Sequence, residues 1–168
     1  MRQVIQEQIS RQIVARYPNH VWRVDRTRVW RWGVWPTWML VAVDHHSRMV
    51  TAVRSSEGPN AGWVVAVLEE AFLQHGVPKH IITDQECVFV SGAFEGLLRP
   101  WNVKQRLGAV GKHGSIAVTE RAIWTLKYLW LSRVPVIRGL DHLAELLGDF
   151  GLWYSDYRGH ATLDGAIP

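Results

Sequence analysis

Three stretches decide the fold class: Val21-Trp-Arg-Val-Asp25-Arg-Thr-Arg-Val-Trp30, then Thr37-Trp-Met-Leu-Val-Ala-Val-Asp44, then Met49-Val-Thr-Ala-Val-Arg54. The first alternates, with Trp22, Val24 and Trp30 on one face and Asp25, Thr27 and Val29 on the other, which is the period of a strand. The second is apolar without a break from Trp38 to Val43 and reads as a near-continuous apolar strand. Gly33 and Pro36 separate the first two, and the turn chemistry of Asp44-His-His-Ser-Arg48 separates the last two, so the three form a meander. After Glu57-Gly-Pro-Asn60 the period becomes helical over 61–75, with Val64, Val67, Leu68, Ala71 and Phe72 on one side and Gly76 just past the end. A short strand at 79–83, a short helix at 91–98 and a strand at 103–107 follow. A glycine-punctuated loop at 108–114 then precedes a long helix from about Ser115 to Leu131, and 139–154 reads as another helix. A meander followed by helix-separated strands predicts one α/β domain, a five-stranded mixed sheet flanked by helices.

Working outward, Ile5, Ile9 and Ile13 place a narrow apolar stripe on a helix over 3–16 that Pro18 and Asn19 end. The chain therefore divides into an N-terminal helix and linker, 1–20, and a core with C-terminal helices, 21–168. Its 168 residues suit one domain with its own core. No apolar run approaches the roughly 18 residues of a membrane span, and Met1 to Ser10 has no signal-peptide core, so a cytoplasmic protein without membrane contact is expected. The single cysteine, Cys87, permits neither an internal disulfide nor a cysteine-rich zinc site. The net charge of +4 and a pI near 9.6 lean toward a polyanionic partner. Of nineteen basic residues only Lys79, Lys104, Lys112 and Lys127 are lysines, and Arg is the better bidentate phosphate ligand.

Asp25 sits mid-strand, Asp84 ends the fourth predicted strand, and Glu120 falls in the first turns of the long helix. Each has an ordinary structural explanation: an exposed edge for Asp25, a turn for Asp84, a helix N-terminus for Glu120. Together they point elsewhere, because ligands bind at the carboxyl ends of neighbouring strands in open α/β sheets. Three carboxylates converging there without cationic neighbours require a hard divalent cation.

The segments Trp22-Arg-Val-Asp25-Arg-Thr27, Val43-Asp44-His-His-Ser47-Arg48, Gly76-Val-Pro78-Lys-His-Ile81-Ile82-Thr83-Asp84-Gln85, Thr119-Glu120-Arg121-Ala-Ile-Trp-Thr125-Leu126-Lys127 and Trp153-Tyr154 with Arg158-Gly-His160 closely resemble the catalytic core of retroviral-type integrases and bacterial insertion-sequence transposases. The 35 residues between Asp84 and Glu120 are that family's spacing. The resemblance covers roughly residues 18 to 168. It implies a ribonuclease-H-like fold and a DDE polynucleotidyl transferase in which Asp25, Asp84 and Glu120 hold two Mg²⁺ or Mn²⁺ ions. Those ions would activate the attacking oxygen and stabilise the leaving oxygen in nicking mobile-element ends and joining 3′ ends to target DNA. Oxygen-only ligands agree with those metals.

Lys127, two helical turns after Glu120, would share its face and bind DNA phosphate, against a simple role as a solvated lysine. Arg121 divides between ion pairing and DNA contact. Trp124 is placed on the flank of the active-site face, along DNA, and Arg158, His113 and His160 are further candidates near substrate. Asp44 reads as a turn former. Of ten tryptophans, the five between Trp22 and Trp38 read mainly as sheet-to-helix packing, with Trp32 and Trp35 in a turn. Departures from the family pattern stand at Gln85-Glu86, where glycine is common and Glu86 adds a carboxylate, and at Ile116-Ala117, Trp130 and Gly159. The expected partners are double-stranded DNA, other copies of the chain on that DNA and a separate helix-turn-helix polypeptide, with a nucleoid-associated, prokaryotic setting. The competing expectations are a truncated or inactive remnant that binds DNA or co-assembles with a full-length partner, and a nuclease that hydrolyses without joining.

Overall fold

The computed structural model describes residues 14–108 and 113–168, and of residues 113–117 and Thr162 only the backbone. Most of the expected N-terminal helix, like the loop 109–112, lies outside the described residues, and 14–16 are not helical. Five strands, β1 (Val21–Arg31), β2 (Trp35–Asp44), β3 (Val50–Ser56), β4 (His80–Thr83) and β5 (Lys104–Leu107), form one sheet in the order β3-β2-β1-β4-β5. The meander strands pair antiparallel, whereas β4 runs parallel to both β1 and β5, so the sheet is mixed as predicted. Helices α1 (Ala61–His75), α2 (Gly92–Leu98), α3 (His113–Trp124) and α4 (Leu140–Leu152) flank it.

The apolar run of β2 supplies two cores by simple alternation. Leu40 and Ala42 join Trp22 and Val24 of β1 under α1 and α2, packing on Val64, Leu68, Phe72, Phe94 and Leu97. Met39, Val41 and Val43 face the other way, onto Ala122 and Leu126 of the α3 region and Leu143, Leu147 and Phe150 of α4. Fully burying each large side chain contributes roughly 1.5–3 kcal/mol. Capping sets the helix boundaries: Asn60 Oδ1 accepts the Trp63 N–H at 2.8 Å, and Ser91 Oγ accepts the Phe94 N–H at 3.2 Å. Gly76, at φ 92°, ends α1.

Two local expectations change. The long helix is α-helical only to Trp124, and Thr125–Trp130 winds as a π-helix, with the Thr125 hydroxyl donating to the Arg121 carbonyl at 2.8 Å. The wider turns bring Leu126 and Leu131 onto the sheet in place of a regular α-face. Of the five early tryptophans, only Trp22 is fully buried. Trp30, Trp32 and Trp35 lie at the outer end of the β1–β2 hairpin and are more than half exposed, and Trp35 opens β2 instead of lying in the turn.

Candidate active site

Asp25 and Asp84 are brought together by strand register. Arg23 pairs with Ile82 where β1 runs parallel to β4. Two residues further, Asp25 on β1 stands level with Asp84, one residue beyond β4. The pairing stops short of that level because β4 ends at Thr83 while β1 continues to Arg31, so Asp84 opens the loop after β4 beside the middle of β1. By alternation Asp25 shares the face of Arg23, the side covered by α3. Its Oδ1 accepts the Arg26 N–H at 2.8 Å, and Asp84 Oδ1 accepts the Glu86 N–H at 3.1 Å. Burial raises the Asp25 carboxyl above the ordinary carboxylate range, and Asp84 and Glu86 add to the rise, while the Arg26 N–H and the Arg23 charge oppose it.

Glu120 stands two turns into α3 and is exposed. With α3 starting at His113, it is too far from the N-terminus to serve as a cap, which removes the ordinary explanation weighed for it. The three carboxylates share one neighbour: Asp25, Glu120 and Asp84 all act on the charge of Arg23. The expectation of a site without cationic neighbours is therefore corrected. Arg23 lies on the same strand face as Asp25, and that two-residue spacing was the sequence signal for it. Glu86 is also accounted for, since it pairs with Arg26, whose guanidinium lies 4.8 Å from the Trp38 ring centre and donates to the Pro59 carbonyl at 3.3 Å.

Lys127 is partly buried, and burial lowers its pKa. Asp25 opposes that shift and Arg28 adds to it, so both charges act on its ammonium. Trp124 is about half exposed beside Tyr128, with ring centres 5.7 Å apart. Arg121 and Arg158 gather elsewhere, around Tyr154, together with Arg48. The Arg158 guanidinium sits 5.0 Å from the Tyr154 ring and 5.5 Å from Trp153. The His113 side chain lies outside the described residues. Asp44 is 2% exposed and committed to its turn, accepting from Ser47 Oγ at 2.8 Å and from the His46 and Asn19 N–H groups at 3.2 Å. His160 is buried against Tyr154, ring to ring at 4.8 Å, with its Nε2 3.2 Å from the Tyr154 carbonyl oxygen.

Residues 15–113 match the family model described as the integrase core domain. The chain belongs to that family. This integrase core is 29% identical over 130 residues to the Pol polyprotein of Feline endogenous virus ECE1, an alignment covering 77% of the chain and 12% of the polyprotein. It thus spans about an eighth of that relative's length. Among solved structures, the catalytic core of HTLV-2 integrase in complex with magnesium superposes with TM-score 0.71 at 20% identity, covering 89% of this chain and 93% of that one. The simian T-cell lymphotropic virus intasome in complex with a PP2A regulatory subunit gives TM-score 0.73 at 20% identity, over 90% of this chain and 54% of that one. The BIV integrase catalytic core gives 0.70 at 21% identity, over 89% and 91%. The fold is the ribonuclease-H-like fold of retroviral-type integrase cores.

Among the described residues, no three Asp, Glu, His or Cys side chains close together into a metal-ligating group as they stand. The donor set nevertheless fits a hard divalent cation. Asp25, Asp84 and Glu120 offer only oxygen, and the buried Asp25 gains from positive charge beside it. Among the described residues no helix is long and apolar enough to cross a membrane.

Proposed function

We propose that this integrase core is a DDE polynucleotidyl transferase that nicks DNA at the ends of a mobile element and joins the freed 3′ ends to target DNA. The observation that carries the reading is the parallel register of β1 on β4, which, continued by two residues, sets Asp25 in the middle of β1 level with Asp84 just past β4, with Glu120 of α3 acting on the same Arg23 charge as both. Asp25, Asp84 and Glu120 would hold Mg²⁺ or Mn²⁺, which when bound supplies an activated attacking oxygen and a stabilised leaving oxygen. Magnesium in the HTLV-2 core supports that choice. The chain's own residues position the substrate. Lys127 offers an ammonium to a DNA phosphate beside Asp25, and Trp124 with Tyr128 forms an exposed aromatic edge along the same helix. Arg121 and Arg158 supply positive charge further out, around Tyr154. Multimeric action on two DNA ends is part of this proposal, supported by the dimeric form of the HTLV-2 core and by the intasome relative.

One observation favours a second reading, a core that binds DNA without cutting it: the three carboxylates all act on the charge of Arg23, and among the described residues they do not form a metal-ligating group. A strand-transfer assay on oligonucleotides carrying the element's terminal repeats, with Mg²⁺ or Mn²⁺, separates the two. Metal-dependent nicking and joining, lost in Asp25→Asn and Glu120→Gln, is expected. DNA binding without either reaction would establish the second reading.

A further inference from the structure

Arg23 carries a charge that the proposed chemistry does not use. It is 7% exposed, and its Nε and Nη1 have no hydrogen-bond partner among the described residues. A buried guanidinium in that state is strongly unfavourable unless neighbouring charge compensates it. The neighbouring Arg26 shows the contrast, since its guanidinium is satisfied by Glu86 and the Pro59 carbonyl. Arg23 instead lies beside the carboxyl end of β4. It precedes Asp25 by two residues on one strand face, and it pairs with Ile82, two residues before Asp84. Its Nη1 lies 3.7 Å from where a Cβ of Gly108 would stand, and the Gly108 N–H donates to the Thr83 carbonyl at 2.7 Å. The guanidinium thus lies beside the end of β4, on the strand face that carries Asp25, and the charges of Asp25, Glu120 and Asp84 all act on it.

We propose that Arg23 is the resident counter-ion of the carboxylate site, balancing Asp25, Asp84 and Glu120 in the metal-free protein and weakening the binding of a divalent cation, which must displace its charge. The inference rests on the reading of those three residues as metal-holding. A positive charge beside an entering divalent cation, partly shielded from water, lowers affinity on the order of tenfold. The same charge suppresses the mutual repulsion that three carboxylates meet when no metal is present. The site would then fill when metal and DNA phosphate arrive together, because the phosphate offers the displaced guanidinium a new partner.

The test is a Mn²⁺ titration of the full chain without DNA, read from the electron paramagnetic resonance signal of free Mn²⁺, on wild type, Arg23→Gln and Arg23→Lys. Arg23→Gln is expected to bind Mn²⁺ on the order of tenfold more tightly, and Arg23→Lys, which keeps the charge, to stay close to wild type. Arg23→Gln is also expected to be less stable in urea without metal and to recover with Mn²⁺. Affinity in Arg23→Gln equal to or weaker than wild type overturns the proposal. If Arg23→Gln does not fold, the wild type carries the test: the ¹H–¹⁵N signal of Arg23 Nε moves in step with Mg²⁺ saturation, and a signal unmoved at saturation overturns it. Mn²⁺ binding that Asp25→Asn and Glu120→Gln abolish, at equal affinity in wild type and Arg23→Gln, removes the counter-ion alone. No Mn²⁺ binding by either folded protein removes the metal-centred function and the counter-ion with it.

Discussion

Replacing Glu86 with Gln removes one charge from the contact that ties the chain after β4 to β1. The Arg26 side chain is 8% exposed and that of Glu86 32%. The guanidinium lies 4.8 Å from the Trp38 ring centre and 6.0 Å from Phe89. Glu86→Gln keeps the shape and leaves a desolvated cation without its anion. Breaking a fully buried pair costs roughly 3–5 kcal/mol, and an exposed one roughly 0–1 kcal/mol. With one partner buried, the other a third exposed, and the Pro59 carbonyl and Trp38 face still holding Arg26, the cost should be about 2 kcal/mol. For a chain of this size that corresponds to a Tm lower by roughly 4–8 °C. Urea denaturation of metal-free wild type, Glu86→Gln, Arg26→Met and the double variant forms a cycle. It should show a coupling of about 1–2 kcal/mol, with the double variant close to Arg26→Met. A loss in Glu86→Gln below about 0.5 kcal/mol, or single losses that simply add, would refute the pairing.

Gly76→Ala should destabilise by on the order of 1–3 kcal/mol, because at φ 92° its Cβ would lie 2.8 Å from Asn19 Nδ2. That nitrogen donates to the His75 carbonyl while Asn19 Oδ1 accepts from Trp22 Nε1, so it cannot give way freely. Unchanged stability in chemical denaturation would contradict this account of the α1 terminus. Lys127→Ala should weaken DNA binding across sequences and reduce the slope of log affinity against log salt by about 1. A slope equal to wild type would remove Lys127 from the phosphate contacts. His160 has a pKa lowered from 6.5 by burial, partly offset by its contact with the Tyr154 carbonyl. The folded state therefore prefers the neutral ring. Its contribution is complete above the unfolded value and is lost as pH falls through the folded one. Stability of the wild type should decline on acidification below about pH 6.5, and less steeply in His160→Gln. Parallel pH curves would exclude His160 as the cause.

The sheet was legible because its strands announce themselves locally. The Trp38–Val43 run and the alternation from Val21 both read as strands, and the structure divides the β2 side chains between two cores. Helix α1 runs over 61–75 as the period predicted, because Asn60 and Gly76 mark its ends chemically. The π-helical stretch at 125–130 left no comparable mark. An α and a π turn accept the same residues, and packing of Leu126 and Leu131 on the sheet chooses between them. The tryptophans of the hairpin show the same limit. Trp22 and Trp30 share a strand face, but the helical layers cover one and not the other.

For the site, sequence alone put Asp25, Asp84 and Glu120 forward together, through their types and through the Asp84–Glu120 spacing that the family resemblance carries, and it placed Asp25 and Arg23 on one strand face. Only the tertiary structure decided what stands between those carboxylates. Strand periodicity says that Arg23 and Arg26 point to opposite faces and is silent about what each face holds. The parallel register of β1 on β4 directs Arg23 toward Asp25, Asp84 and Glu120. The chain leaving β4 carries Glu86 to Arg26. Charges far apart along the chain become neighbours only when the sheet order is set, and their energies depend on that proximity and on burial, neither of which a local pattern encodes.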